Sequence, residues 1–312
     1  MKLSILMAAY NEERTVAQVV AAVLATEYPC PIELIVVDDG SSDRTAQLLA
    51  EIGDPRVSVH THRVNRGKSA ALSTAIEVAT GTHMLPFDAD MEYEPNDIPA
   101  LIDPILRGRC EVVYGTRLFG VNTVYQSFRY ALGNKALTLA ANVLFDASIS
   151  DLHTCLKLIP LPLVRSMKLD ASGFGMDTEL TARLLRLGVR PFEVPVSYHS
   201  RSRAEGKKIS WQDGVHCLRI LAGVRFSPKP RPVAAVAPVR HLAEVPARPY
   251  PPVRQIPAPV AAATPMVRPH AVTTPPAKPT GLNGNAVIGV GDPATVANSV
   301  NAVNTALRLS EG

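Results

Sequence analysis

Residues 32–43 read Ile32-Glu33-Leu34-Ile35-Val36-Val37-Asp38-Asp39-Gly40-Ser41-Ser42-Asp43. The apolar run 32–37 is short, as expected of a strand buried on both faces of a parallel sheet. A polar cluster follows at once. Residues 43–52 read as a helix, capped by Ser42 or Asp43 and stopped by Gly53. The same rhythm precedes it: 3–9 is an apolar strand, and Asn11 opens a helix with Glu12 and Glu13 in its first turn, where acidic residues favour the helix dipole. It also follows: 57–60 is a third strand, 68–79 a helix ended by Gly81, and 82–87 a fourth strand. Strand and helix in alternation predict a mostly parallel α/β sheet with helices on both faces. Ligands of such sheets bind beyond the carboxyl ends of the strands.

The next hundred residues are less regular. Residues 112–114 and 190–198 read as extended, and 125–144, 175–187 and 210–224 as helices, with a polar loop over 200–208. From Ser227 the periodicity stops. The last 86 residues hold 16 of the 27 prolines, with 8 basic and 3 acidic side chains, a charge of +5. Residues 1–226 carry 24 basic and 25 acidic side chains, so the overall +4 belongs to the tail and not to a nucleic-acid-binding fold. The expected organisation is a catalytic domain over 1–226, divided into 1–115 and 116–226, and a disordered Pro/Ala-rich tail over 227–312. Cys30, Cys110, Cys155 and Cys217 are widely spaced and predict reduced thiols, not a disulfide framework. No signal peptide is expected, and no apolar run reaches the ~18 residues of a spanning helix. The predicted location is cytoplasmic, with peripheral contact at the inner face of the membrane.

Acidic loops follow three strands. Asp88-Ala89-Asp90 places two carboxylates one residue apart at a strand end, and Glu92 lies two further on. Such a set predicts a Mg²⁺ or Mn²⁺ site that neutralises a leaving diphosphate. Asp38 and Asp39 at a second strand end predict hydrogen bonds to a base or ribose. Arg66-Gly67-Lys68-Ser69 is not a Walker loop, because the required earlier glycine is His62. Lys68 at a helix start is still suited to a phosphate. His153 and Cys155 lack partners at zinc spacing and read as packing residues.

Ala9-Tyr10-Asn11-Glu12-Glu13, the stretch 36–43 and Asp88-Ala89-Asp90 together resemble the inverting glycosyltransferases of family 2, which have the GT-A fold. Gly115-Thr116-Arg117, Gly133-Asn134, Asp151-Leu152-His153-Thr154-Cys155-Leu156-Lys157, Phe174-Gly175-Met176-Asp177-Thr178-Glu179 and Glu205-Gly206-Lys207-Lys208-Ile209-Ser210-Trp211 are similar to its dolichol-phosphate mannose synthase-like branch. The resemblance covers about residues 1–226. It implies that Tyr10, Glu12 and Asp39, with Ala8, Val37 and Ala89 beside them, hold the nucleoside. Asp88, Asp90 and Glu92 face the metal and diphosphate, Arg117 contacts phosphate, and Arg201 and Lys207 belong to an acceptor loop. Asp90, Arg117 and Lys207 are the expected catalytic residues. Ala8 stands where the family usually has Pro, and Glu92 where the mannose synthases often have Gln.

The expected reaction moves a hexose, with inversion, from a nucleoside-diphosphate sugar of the GDP-mannose or UDP-glucose type to a polyprenyl phosphate. Arg117, Arg129, Lys157, Arg201, Arg203, Lys207 and Lys208 form a basic set suited to an anionic acceptor. A phosphate oxygen is already ionised and attacks without a base. A hydroxyl acceptor, in polysaccharide or glycolipid synthesis, would need one, and Asp151, Asp177 or Glu179 would serve. A nucleotidyltransferase would want a Gly-rich first loop, which is absent here. A non-catalytic scaffold is disfavoured by the intact carboxylates.

Overall fold

The computed structural model describes residues 1–117, 123–124, 128–167, 169–170, 175–200 and 211–228. The chain divides into units Met1–Pro249 and Tyr250–Gly312, and every described residue falls in the first. The tail beyond residue 228, and Arg201, Arg203, Lys207 and Lys208 of the expected acceptor loop, lie outside the described residues.

The first half is built as the apolar runs dictate. Strands β1 (Leu3–Ala9), β2 (Ile32–Asp38), β3 (Val57–Thr61) and β4 (His83–Pro86) are joined by helices α1 (Val16–Ala25), α2 (Thr45–Ala50) and α3 (Lys68–Val78). Strand β1 pairs in parallel with both β2 and β4, and β2 with β3. A 3-10 turn and α4 (Ile98–Leu106) lead to β5 (Val113–Thr116) and β6 (Thr123–Val124). Then come α5 (Phe128–Phe145), β7 (Lys157–Pro160), α6 (Leu161–Ser166), α7 (Gly175–Arg186), β8 (Phe192–Pro195), β9 (Tyr198–His199) and α8 (Trp211–Phe226). Seven described strands form one sheet in the order β3-β2-β1-β4-β7-β5-β8, and β6 with β9 makes a small parallel ribbon. Strand β7 runs antiparallel to both neighbours. The sheet is therefore mostly parallel, as the periodicity predicts, with one reversed strand that it does not.

The period of two sorts the core. Leu3, Ile5, Met7, Leu34 and Val36 face α1 and α4, while Leu6, Ile35 and Val37 face α3, α6 and α7. A third cluster holds α5, α7 and α8 together through Ala141, Phe145, Leu185, Leu221 and Val224. Among the described residues no helix is long and apolar enough to cross a membrane.

One boundary differs for a physical reason. The first helix starts at Val16, not Asn11, and has no acidic residue in its first turn. Asn11 takes a left-handed φ of 55°. Its side chain accepts from the Ser42 amide at 2.8 Å, the Glu12 amide donates to Thr45, and the Glu13 amide to Asp43. In return Glu13 accepts from the Arg44 amide. Residues 11–13 are spent on lacing the loop after β1 to the loop after β2. Asp43 also accepts from the Thr45 amide at the start of α2, at 2.9 Å.

The far end of α3 is closed by a side chain from another element. Arg165 of α6 donates to the carbonyls of Ile76, Glu77 and Ala79, at 2.7–3.1 Å. A guanidinium satisfies these orphan carbonyls and complements the helix dipole. Arg165→Met should therefore lower stability by about 1–3 kcal/mol, the worth of charge-assisted hydrogen bonds left unmade. Thermal unfolding should show it as a lowered Tm, with the binding of a nucleoside diphosphate unchanged.

Candidate active site

Because β1, β2 and β4 are parallel neighbours, their carboxyl ends open on one edge of the sheet. Asp38 and Asp39 end β2 side by side and are both buried. Backbone amides relieve their repulsion. Asp38 accepts from the Ser41 amide at 3.3 Å. Asp39 accepts from the amides of Arg66 at 3.0 Å and Gly67 at 2.7 Å, and meets His62 Nδ1 at 2.7 Å. Gly40 turns the chain at φ 72°, and a Cβ there would lie 2.6 Å from the Val64 carbonyl carbon. Asp39 thus fastens residues 62–67, and its oxygens are bonded within the protein; the nucleoside contact implied for it would require sharing them.

The fastened loop delivers Lys68. Its Nζ lies 2.5 Å from Asp88 Oδ1, at the end of the central strand β4. Burial alone would lower the Lys68 ammonium. Asp88 and Asp177 beside it outweigh that cost and hold it well above its ordinary value. Cys155 in the same cluster is pushed up by burial and by Asp88, so it stays a thiol. Asp177 enters from the first turn of α7, and the fully buried Lys157 donates to its Oδ1 and its carbonyl, both at 3.2 Å. Burial raises the Asp177 carboxyl, but Lys157 and Lys68 more than offset it and leave it lowered. Lys157 also lies 5.6 Å from the Tyr114 ring centroid. It belongs to the interior, which corrects its placement in an acceptor-facing basic set.

Beyond Asp88 the expected acidic triplet separates. Asp90 Oδ1 accepts from the Glu92 amide at 3.1 Å. Glu92 Oε2 accepts from the Tyr198 hydroxyl at 2.7 Å, which turns it toward β9. Among the described residues no three His, Cys, Asp or Glu side chains are grouped to hold a metal ion. Glu92 would thus have to share its carboxylate with Tyr198 to reach a metal. Asp88 and Asp90 still fit a hard cation: Asp88 already holds a positive charge, that of Lys68, and two carboxylates plus substrate phosphates suffice for Mg²⁺.

The second half carries its own buried pair. Arg117 donates through Nε and Nη2 to Asp151 at 2.6 and 2.7 Å, and Asn134 of α5 donates to Asp151 at 2.8 Å. The Arg117 guanidinium also lies 4.8 Å from the Tyr198 ring centroid. His153 Nδ1 is 3.0 Å from Asn134 Oδ1, an acceptor, so that nitrogen carries the proton and Nε2 accepts from Thr178 at 2.9 Å. Burial lowers His153 to about 4, so it is neutral at pH 7. Arg117 therefore braces the β5 end through Asp151.

The remaining expectations divide. Tyr10 is exposed and Glu12 half-buried at the β1 end, with Thr15 donating to the Glu12 carboxylate. Ala8 is half-buried on β1. Val37 and Ala89 are core residues and can offer a ligand only their backbone. Arg129 is exposed on α5. His62, Asn134 and Tyr198 were not singled out as site residues, and Lys157 was, but in an acceptor-facing role. Asn134 and Lys157 stand inside the quoted motifs, which was the available signal; His62 and Tyr198 had none.

Asp151 supplies a pH prediction. Burial would raise its carboxyl, but Arg117 holds it down to about 2, against about 3.9 when unfolded. A lowered folded value stabilises above the unfolded one, and that contribution is lost as pH falls from about 4 toward 2. Asp151→Asn leaves Arg117 buried without its counter-ion and should cost about 3–5 kcal/mol at pH 7. Acid unfolding of the variant should accordingly show a weaker dependence on pH between 4 and 2, measured by circular dichroism.

The model of the family described as glycosyl transferase family 2 matches residues 4–160. The chain is 27% identical over 225 residues to the low-salt glycan biosynthesis hexosyltransferase Agl6 of Haloferax volcanii, covering 70% of this chain and 52% of that one. It is 34% identical over 110 residues to the undecaprenyl-phosphate 4-deoxy-4-formamido-L-arabinose transferase of Pectobacterium carotovorum, 34% of each chain. It thus spans about half the length of the first relative and a third of the second. In fold it is similar to glucosyl-3-phosphoglycerate synthase of Mycobacterium tuberculosis, solved with Mn²⁺, UDP-glucose and phosphoglyceric acid, at a TM-score of 0.56 and 21% identity over 73% of this chain and 80% of that one. With the family's acidic loops after β1, β2 and β4 and half of the chain matched, the protein belongs to glycosyl transferase family 2.

Proposed function

We propose that this chain transfers a hexose, with inversion, from a nucleoside-diphosphate sugar to a polyprenyl phosphate. The observation that carries the acceptor assignment is the state of the three candidate bases. Asp151 is bonded by Arg117 and Asn134. Glu179 accepts from Arg183 and from the Asp170 amide. Asp177 is held below its ordinary value between Lys157 and Lys68. A carboxylate stabilised as an anion is a poor proton acceptor, and a hydroxyl acceptor needs a good one. A phosphate oxygen does not. The names of two relatives agree, one being a hexosyltransferase and the other an undecaprenyl-phosphate sugar transferase.

Asp88 and Asp90 would hold the divalent cation, which when bound would neutralise charge on the diphosphate. Lys68 supplies a fixed positive charge at the same strand ends. Tyr10 and Glu12 line the β1 end where the nucleoside is taken to sit. The alternative of a hydroxyl acceptor has one favourable observation, the closeness of Asp177 to Lys68 and Asp88.

Radiolabelled nucleotide sugars offered with polyprenyl phosphate should move label into the organic phase, while glycan hydroxyls and phosphoglyceric acid should receive none. Asp177→Asn separates the two readings. It should retain transfer to a phosphate acceptor within about tenfold, whereas loss of a general base costs about 10²–10⁴ in kcat. Asp90→Ala should abolish turnover and the Mn²⁺-dependent tightening of nucleotide binding while leaving the unfolding midpoint in place. Tightening that survives the substitution would remove Asp90 from the metal.

A further inference from the structure

We infer that the outer face of α5 is a docking surface for an anionic membrane. Phe128, Leu132, Leu139 and Val143 are exposed by 79, 53, 63 and 75%. Their spacing of four, seven and four places them on one side of the helix, in a strip running its length. The opposite side is committed to the protein. Thr138, Ala141 and Phe145 are buried, and Asn134 bonds Asp151. A helix packed on one face needs no apolar residues on the other, so the strip calls for an explanation.

Charge selects the occupant. From Phe128 to Phe145 there is no Asp or Glu, while Arg129 and Lys135 are both exposed beside the strip. At its C-terminal end Arg225 of α8 donates to the Leu144 carbonyl and lies over the ring of Phe226, itself exposed. Aliphatic and phenyl groups bordered by Arg129, Lys135 and Arg225, with one exposed carboxylate, Asp146, just past the C-terminal end, match the boundary between acyl chains and anionic headgroups. A second copy of the chain is a poorer fit. The strip is one helix wide, below the roughly 800 Å² per partner of a standard interface, and the cations would meet their own copies across a two-fold axis. The inference rests on the lipid-acceptor reading for the purpose of docking, but its residues are different. Asn134, which braces the Asp151–Arg117 pair, projects from the same helix, so docking would set the second half of the site against the lipid surface.

The test is sedimentation of the full chain with vesicles of phosphatidylcholine, with and without phosphatidylglycerol, in the absence of donor and acceptor. The chain should sediment with the phosphatidylglycerol vesicles. Phe128→Ser with Leu139→Ser should weaken that partition at least tenfold. Lys135→Glu should weaken it about fivefold or more on anionic vesicles alone. Unchanged Tm values would show that both variants fold. Binding untouched by either variant would overturn the inference and assign the contact to cations elsewhere in the chain. So would failure of the unaltered chain to bind, or a dimer in light scattering that the serine variant dissociates. Transfer to a short-chain polyprenyl phosphate in detergent is read separately. Its failure with vesicle binding intact would overturn the acceptor reading alone.

Discussion

The Asp39 carboxylate is the constraint on which the donor side depends. It takes the amides of Arg66 and Gly67, and so fixes the point at which α3 begins. Lys68 is the first residue of that helix, and its ammonium reaches Asp88 only because the loop before it is held. Asp88 ends the strand adjacent to β1, whose own loop is laced to the loop after β2. Three loops from separate strands thus become one rigid edge through backbone amides and short acidic side chains. Preorganisation of this kind lets a charged site meet a charged substrate without reordering itself.

A run of alternating charge, with Lys157 buried at its inner end, joins the two halves. Lys157, Asp177, Lys68 and Asp88 follow one another with opposite signs, and Arg117 with Asp151 forms a separate pair braced by Asn134. Removing one member strands its partner in a low-dielectric interior, which is costlier than the pair is stabilising. These groups therefore hold geometry more than they add net stability. They also explain why Asp151 and Asp177 are held as anions.

The first half was legible because its information is local. A buried parallel strand is an apolar run, and Asp88-Ala89-Asp90 at the end of one is visible without knowing its neighbours. The start of α1 was misjudged because the Asn11 and Glu13 partners lie thirty residues away in another loop. The reversal of β7 was not legible, since strand direction leaves no trace in a four-residue run. Lys157 read as an acceptor-facing cation because a lysine's burial depends on whether Asp177 comes beside it, a contact twenty residues distant. The bond of Glu92 to Tyr198 was illegible for the same reason: its partner is more than a hundred residues on.

The reversed strand has a consequence for the order of assembly. Strands β1 to β4 find all their early partners among residues already made when β4 is complete. Strand β5 does not. Its two neighbours are β7 and β8, both synthesised later, and the outer edge of β4 also waits for β7. While the chain emerges, β4 presents an open edge and β5 is an apolar segment without a sheet to join. Unpaired edges of this kind are where nascent α/β proteins associate wrongly. Closure of the sheet by Lys157–Pro160 is then a late, long-range step, and it brings Lys157 inside at the moment Asp177 must be ready to receive it. Pairing of the second half with the sheet and burial of Lys157 beside Asp177 therefore depend on the same strand.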